Sequence, residues 1–401
     1  MQTSFASRMD FLRASDIREI LKVTQNPDMI SFAGGLPAPE LFPNQAIGEI
    51  ANQILQTNAR IALQYSPTEG YQPLREQIAA RMNALWKVNL DAEDILVTTG
   101  SQQGLDLLGK LFLDEGDAVV CESPTYLGAV MAFNVFQPRW VEVPTDGDGM
   151  DLEALDAILR GERRVKMIYV VPNYQNPTGR TWSAERRKGL LALAKRHNVP
   201  LIEDNPYGEL AFEGTTPGAI QAMDDTGLVI SLGTFSKIFC PGLRVGWIAA
   251  RRHFLDKLVV IKQAADLHSS TLDQIITSVY LQTHDLEKDL IEKREVYGKR
   301  RNAMVAALEA EMPAGVTVTH PRGGLFLWVE MPEGIDSRAL LRVSLERGVA
   351  FVPGESFFPN TQRKNTMRLN FSNMPEERIV EGVRRLAAAV REMLAQPAEA
   401  V

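Results

Sequence analysis

The 401-residue chain is longer than one ordinary domain, so its length calls for two or three structural units with substantial cores. Apolar residues make up 45% and charged residues 23%, which excludes a disordered or low-complexity chain. The net charge of -7 excludes a general attraction to nucleic acid or an anionic membrane, while two cysteines and five scattered histidines offer neither a disulfide framework nor a zinc-ligand pattern, so no metal is expected.

The opening "MQTSFASRMDFLRASDIREI" has no charged leader followed by a continuous apolar core, and no run approaches the roughly 18 uninterrupted apolar residues of a spanning helix. The expectation is a cytoplasmic protein without a membrane anchor. From residue 94 onward, short β-rich runs alternate with helical patterns: "DILVTT" (94–99), "DAVVCE" (117–122), "RWVEVP" (139–144), "VKMIYVVP" (165–172), "PLIED" (200–204), "LVISLG" (228–233) and "VGWIAA" (245–250). Seven such runs, with helices such as "QQGLDLLGKLFL" between many of them, predict an α/β fold around a seven-stranded, mostly parallel sheet covered on both faces. The last two runs are too close for a crossover helix, which predicts one antiparallel strand.

Beyond residue 250 the pattern turns to long helical stretches, including 272–312, followed by a smaller α+β section with strands at 324–331 and 366–372. A final helix starts near Pro375 and should bury Ile379, Val383, Leu386 and Val390. The expected division is an N-terminal segment over 1–45 that joins the small domain, a large ligand-binding domain over 46–285, and a small C-terminal domain over 286–401.

In α/β sheets, ligands bind beyond the carboxyl ends of the strands, so polar residues just after each run are candidates. The first run leads into "TTGSQQG", where Ser101 and Gln102 open a helix whose free N–H groups could hold a phosphate; a plain serine N-cap is the alternative. The fourth leads into "PNYQNPTGR", whose N-P-T-G turn could aim Asn176 at a ligand or simply precede a Ser-capped helix. The fifth ends at Asp204, with Tyr207 three positions on; the aspartate could cap a helix or pair with a protonated ring nitrogen. In "SLGTFSKIFCPGLRVGW", Lys237 could be a surface charge in a loop between two strands or an amine buried against a phosphorylated cofactor; Thr234, Ser236 and Arg244, two hydroxyl donors and a guanidinium able to grip a phosphate and depress the amine's pKa, suit the second reading.

Taken in order, Y-S-P-x-x-G-Y-x-P-L-R (65–75), T-T-G-S-Q-Q (98–103), S-P-T-Y (123–126), N-P-T-G (176–179), D-x-x-Y (204–207), T-F-S-K (234–237), L-R-x-G-W (243–247) and M-R-L-N-F (367–371) resemble the pyridoxal-5'-phosphate-dependent aminotransferases of the class I/II, fold-type I group, across nearly the whole chain. The resemblance implies that Lys237 carries the cofactor and moves the substrate Cα proton, and that Asp204 pairs with the pyridinium nitrogen. It implies that Tyr207 and Asn176 bond the ring oxygen and Tyr126 stacks on the ring. Ser101, Gln102, Thr234, Ser236 and Arg244 would form the phosphate cup, and Tyr65 would reach the phosphate from a partner subunit of a homodimer. Arg368, assisted by Asn176, would clamp the substrate α-carboxylate.

"ASDIREILK" followed by "ISFAGGLPAPELFP" (30–43) looks like the 2-aminoadipate and kynurenine aminotransferase branch. There Ser15 would cap an N-terminal helix, Arg18 would meet an acidic substrate side chain or stand as an exposed helix arginine, and Gly35 would let the backbone approach the substrate. The expected activity is transfer of an amino group from an L-amino acid to a 2-oxo acid, with 2-oxoglutarate and glutamate as one pair; a β- or C–S lyase is the alternative on the same scaffold. An effector-sensing regulator is disfavoured, because the stretch before Ile30 is too short for a winged-helix domain.

Overall fold

The computed structural model describes residues 4–10, 12, 20 and 28–395. A two-residue strand, β1 (Ile30–Ser31), precedes the seven strands of the large sheet: β2 (Ile95–Thr99), β3 (Ala118–Ser123), β4 (Arg139–Pro144), β5 (Val165–Val170), β6 (Leu201–Asp204), β7 (Val229–Thr234) and β8 (Val245–Ala249). They run in the order β2-β8-β7-β6-β5-β3-β4, so each of the seven expected runs becomes a strand of one sheet. Their apolar side chains are buried on both faces: Val97, Val119, Ile202 and Ile230 join the larger core, and Val120, Ile168 and Leu201 a second one under the helices Leu152–Gly161 and Ala184–His197. Near-continuous apolar runs are what a doubly covered sheet requires.

The strand pair β7 and β8 is antiparallel, as their short connection predicts, and β8 is antiparallel to β2 as well. This reversal has a consequence for the site. The carboxyl ends of β2, β3, β5, β6 and β7 share one edge with the amino end of β8, since Thr234 lies opposite Gly246 and Thr99 opposite Val245. Arg244, just before β8, therefore arrives beside Thr99 and Thr234.

The expected helical region 272–312 is two helices, Thr271–Thr283 and Leu286–Glu311. The Asp285 carboxylate accepts from the N–H groups of Glu287 and Lys288, which starts the second helix afresh. The small sheet comprises β9 (Thr317–Val318), β10 (Phe326–Glu330), β12 (Val352–Pro353) and β13 (Thr366–Asn370) in the order β12-β13-β10-β9, while β11 (Val349–Ala350) pairs with β1 in parallel. The last helix, Glu376–Ala395, buries Ile379, Val383, Leu386 and Val390 as its spacing predicts. The N–H of Phe32 donates to Ala350 O and that of Asn370 to Phe32 O, fastening the segment after β1 to the small sheet. Among the described residues no helix is long and apolar enough to cross a membrane.

Candidate active site

At the shared sheet edge, Thr99 leads into the helix Gly100–Phe112 without a side-chain cap, and Ser101 lies inside the first turn. Ser101 is therefore not the N-cap, and its turn keeps unsatisfied N–H groups at the positive helix end. Thr234 Oγ1 donates to Ser236 Oγ at 2.9 Å, and the Ser236 N–H donates back to Thr234 Oγ1 at 3.1 Å. Arg244, in the left-handed region at φ 53°, turns its guanidinium to within 3.5 Å of Ser236 Oγ. The Gln102 amide donates to Gly128 O at 3.0 Å. Hydroxyls, helix N–H groups and one guanidinium thus converge on an anion-sized space.

The other end of the same space holds Lys237, Asp204, Tyr207, Asn176 and Tyr126. The Lys237 amine donates to Gly35 O at 2.9 Å, and burial, helped by the charges of Arg368 and Arg244, lowers its pKa to about 8. Asp204 is only 2% exposed. Burial raises its carboxyl to about 6, against the pull of the Tyr169 hydroxyl, which donates to Oδ2 at 2.7 Å. Its Oδ1 is buried without a hydrogen-bond partner among the described residues. Burial also pushes Tyr126 up to about 12 and Tyr207 further, so both stay neutral hydroxyls near pH 7. Asn176 Nδ2 lies 3.5 Å from the Tyr207 oxygen.

Asn176 also links this space to Arg368 on β13. The Arg368 guanidinium donates through Nη1 to Asn176 Oδ1 at 2.9 Å and through Nη2 to Ala33 O, while Nε is buried without a partner among the described residues. The rings of Phe326 and Phe357 lie 4.2 and 5.1 Å from its Cζ. Burial brings the guanidinium down to about 10, and its hydrogen bonds run to neutral oxygens, so the positive charge awaits an anion. The close approach at Gly35 is tight: a Cβ there would lie 3.0 Å from Phe326 Cζ.

A cavity of about 140 Å³ is lined by Ser101, Gln102, Tyr126, Asn176, Asp204, Tyr207, Thr234, Ser236, Lys237 and Arg244. Arg368 and Gly35 adjoin it through Asn176 and Lys237. Tyr65 stands apart: it is 78% exposed, edge-on to His268 at 5.8 Å, on a separate surface hollow of about 650 Å³ with Ile61, Tyr71 and Arg75. Ser15 and Arg18 lie outside the described residues. The sequence reading overlooked Tyr169, Phe326, Phe357 and Glu122. The Glu122 carboxylate, raised to about 7 by burial, accepts from Val171 N–H and Trp182 Nε1 at 2.9 Å each, and so holds both ends of the loop carrying Asn176. For Tyr169 a signal existed, a hydroxyl near the carboxyl end of a central strand, but a tyrosine within "VKMIYVVP" reads first as core.

Residues 33–386 match the family model described as aminotransferase class I and II. The chain is 46% identical to aromatic-amino-acid aminotransferase 1 of Thermococcus litoralis, over 97% of this chain and 94% of that protein. It superposes on the kynurenine aminotransferase of Pyrococcus horikoshii, a complex with PMP, with a TM-score of 0.94 and 43% identity, covering 98% of each chain. The α-aminoadipate aminotransferase of Thermus thermophilus, solved with N-(5'-phosphopyridoxyl)-L-leucine, gives a TM-score of 0.91 at 43% identity, again over 98% of both chains. A match of this length, on a fold that gathers seven of the eight sequence motifs at or beside one cavity, leads to one conclusion: the chain belongs to the class I and II aminotransferases and is an enzyme of amino-group transfer.

Proposed function

We propose that this aminotransferase works with pyridoxal 5'-phosphate in two half-reactions, taking the amino group of an L-amino acid and passing it to a 2-oxo acid, with glutamate and 2-oxoglutarate as one pair. One observation carries the cofactor assignment: a buried carboxylate oxygen, Asp204 Oδ1, lacks a partner at one end of a cavity whose other end is built for an anion. A protonated ring nitrogen and a phosphate satisfy both ends together. When bound, the cofactor supplies an electron sink for the pair left at Cα after proton loss.

The protein's own groups do the rest. Ser101, Thr234, Ser236 and Arg244 would hold the phosphate, and Gln102 would brace the cup from the same helix turn. Asp204 would keep the ring nitrogen protonated; Tyr207 and Asn176 would bond the ring oxygen; Tyr126 would cover one face. Lys237, with its pKa lowered to about 8, would offer a neutral amine near neutral pH as the group that holds the cofactor aldehyde, and its free amine would be the base that takes the proton from Cα. Arg368 meets the substrate carboxylate with Asn176 beside it, which fixes how the Cα–H bond stands to the ring. Gly35 lets the backbone close over the substrate.

The aromatic, kynurenine and aminoadipate relatives support a donor with a large side chain, and the glutamate pair requires that the same pocket accept an acidic one. The exposed Tyr65, surrounded by a broad hollow, fits a residue that completes the site of a second copy in a homodimer. The test is a half-reaction panel: holoenzyme is mixed with glutamate, 2-aminoadipate, aromatic or branched-chain donors without any oxo acid. Conversion of the cofactor absorbance to that of pyridoxamine phosphate, reversed by 2-oxoglutarate, is expected. Steady release of pyruvate and ammonia would overturn the reading in favour of a lyase.

A further inference from the structure

Tyr169 on β5 lies opposite Ile202 on β6, and Asp204 is two residues further along, so the two side chains share one face of the sheet. Both are buried, Tyr169 at 0% exposure and Asp204 at 2%. The tyrosine ring is held edge-on to Phe133, with centroids 6.0 Å apart and planes at 83°, and its hydroxyl donates to Asp204 Oδ2 at 2.7 Å. The remaining oxygen, Oδ1, has no hydrogen-bond partner among the described residues.

We propose that Tyr169 is a positioning residue for cofactor binding: by holding Oδ2, its hydroxyl turns Oδ1 toward the cavity and keeps the carboxyl ionised for the ring nitrogen. This rests on the cofactor reading above. A hydrogen bond made to the charged form of a buried acid opposes the cost of burial, and here that acid already titrates near 6. The titratable groups facing Asp204 are Tyr169 from β5, Tyr126 from the loop after β3 and Tyr207 from the loop after β6, each a neutral hydroxyl because burial pushes it up. Of these, Tyr169 bonds the carboxylate, while Tyr126 and Tyr207 line the cavity. Without Tyr169 the carboxyl would both rotate and retain its proton to higher pH, and a neutral carboxyl cannot hold the ring nitrogen protonated.

The test measures binding of pyridoxamine 5'-phosphate to the cofactor-free, full-length chain by calorimetry across the acid to neutral range. Wild-type binding should weaken as pH falls through the Asp204 titration, and Asp204→Asn should lose this step. In Tyr169→Phe the step should survive but move upward by about one pH unit, a roughly tenfold loss of affinity within that window. Incorporating monofluorinated tyrosine at position 169 strengthens the donor without changing its packing and should move the step the other way. If Asp204→Asn retains the step, the cofactor reading of Asp204 fails. If Asp204→Asn loses it while neither change at position 169 shifts the midpoint, the role of Tyr169 is overturned and the cofactor reading stands. Should the phenylalanine variant not fold, the fluorinated protein decides alone.

Discussion

Gly100 leaves its Cα bare where the Arg244 guanidinium passes: a Cβ there would lie 2.4 Å from Nη2, and the glycine sits at φ +69°. Gly246, the residue opposite Thr98 across β2 and β8, has a slightly longer but less forgiving approach, because its Cβ would meet backbone, 2.6 Å from Ser101 N and 2.7 Å from Gly100 C. An arginine tip can swing aside, whereas a helix start cannot. Gly100→Ala should therefore cost about 1–2 kcal/mol of strain and displace Arg244, weakening cofactor binding about tenfold. Gly246→Ala should reduce both cofactor affinity and thermal stability more than this. Equilibrium dialysis with pyridoxal phosphate, beside thermal melts, orders the two; a milder Gly246→Ala would contradict the packing argument.

The Lys237 amine titrates near 8 in the cofactor-free chain because it is buried beside the charges of Arg368 and Arg244. Only the neutral amine attacks an aldehyde. The rate at which the cofactor-free chain captures pyridoxal phosphate should rise with pH and level off above about 8, as the ammonium loses its proton. Stopped-flow absorbance reads this directly, and a rate that keeps climbing beyond pH 8 toward the ordinary lysine value of 10.5, with no levelling off, would show that the amine is not depressed. Lys237→Ala should bind the cofactor without the covalent spectral band and lose turnover by several orders of magnitude.

How far the site was legible in the sequence depended on where each residue's signal lay. Asp204, Asn176 and Lys237 follow β-rich runs, so the rule that ligands sit beyond strand ends finds them. Arg244 becomes legible once the close spacing of β7 and β8 implies a reversal. Tyr169 was hidden inside a strand, where an aromatic is ordinarily core, and Phe326 and Phe357 carry no polar mark that ties them to Arg368. The two-residue strands β1 and β11 are too short to show periodicity, and they form because the backbone of Ile30 and Phe32 finds Gly348 and Ala350. The break at His284 was masked because apolar residues continue on either side of it, although Asp285 is a good cap.

In its proposed role Asp204 gives up stability for function. Its folded pKa, raised to about 6 from an ordinary value of 3.8, means the folded chain holds the proton where the unfolded chain has released it. Stability of the cofactor-free chain is therefore highest below the unfolded pKa, falls as pH rises toward about 6, and stays reduced above it. The penalty near pH 7 is on the order of 3 kcal/mol. Asp204→Asn should stabilise the cofactor-free chain at pH 7, with the advantage shrinking toward pH 4, while lowering transamination at least 100-fold. Denaturant melts at several pH values check the first half, and an asparagine variant less stable at neutral pH would refute it.

Arg368 is buried between Phe326 and Phe357 with Nε unpartnered, a fork held ready by its surroundings. Lysine keeps the charge but loses the planar two-point grip and the ring stacking. Arg368→Lys should raise KM for both the amino and the oxo acid, lowering kcat/KM roughly 100-fold, about 3 kcal/mol, with cofactor affinity little changed. Loss of cofactor binding in place of substrate binding would move Arg368 out of the clamp role.

Tyr65 tests the dimer, because its ring is exposed on the chain that carries it and lies outside that chain's own cavity. If each site takes Lys237 from one copy and Tyr65 from the other, defects in the two residues complement one another. Lys237→Ala chains alone should be inactive, and Tyr65→Ala chains should need more cofactor for activity. In a mixture unfolded and refolded together at equal amounts, half the dimers are hybrids, and each hybrid pairs the intact lysine of one chain with the intact tyrosine of its partner at one of two sites. About a quarter of all sites should then behave as wild type at limiting cofactor. If each site were built from a single chain, every site in the mixture would carry one defect or the other. Mixing would then add no wild-type sites, and the activity at limiting cofactor would be the average of the two homodimers.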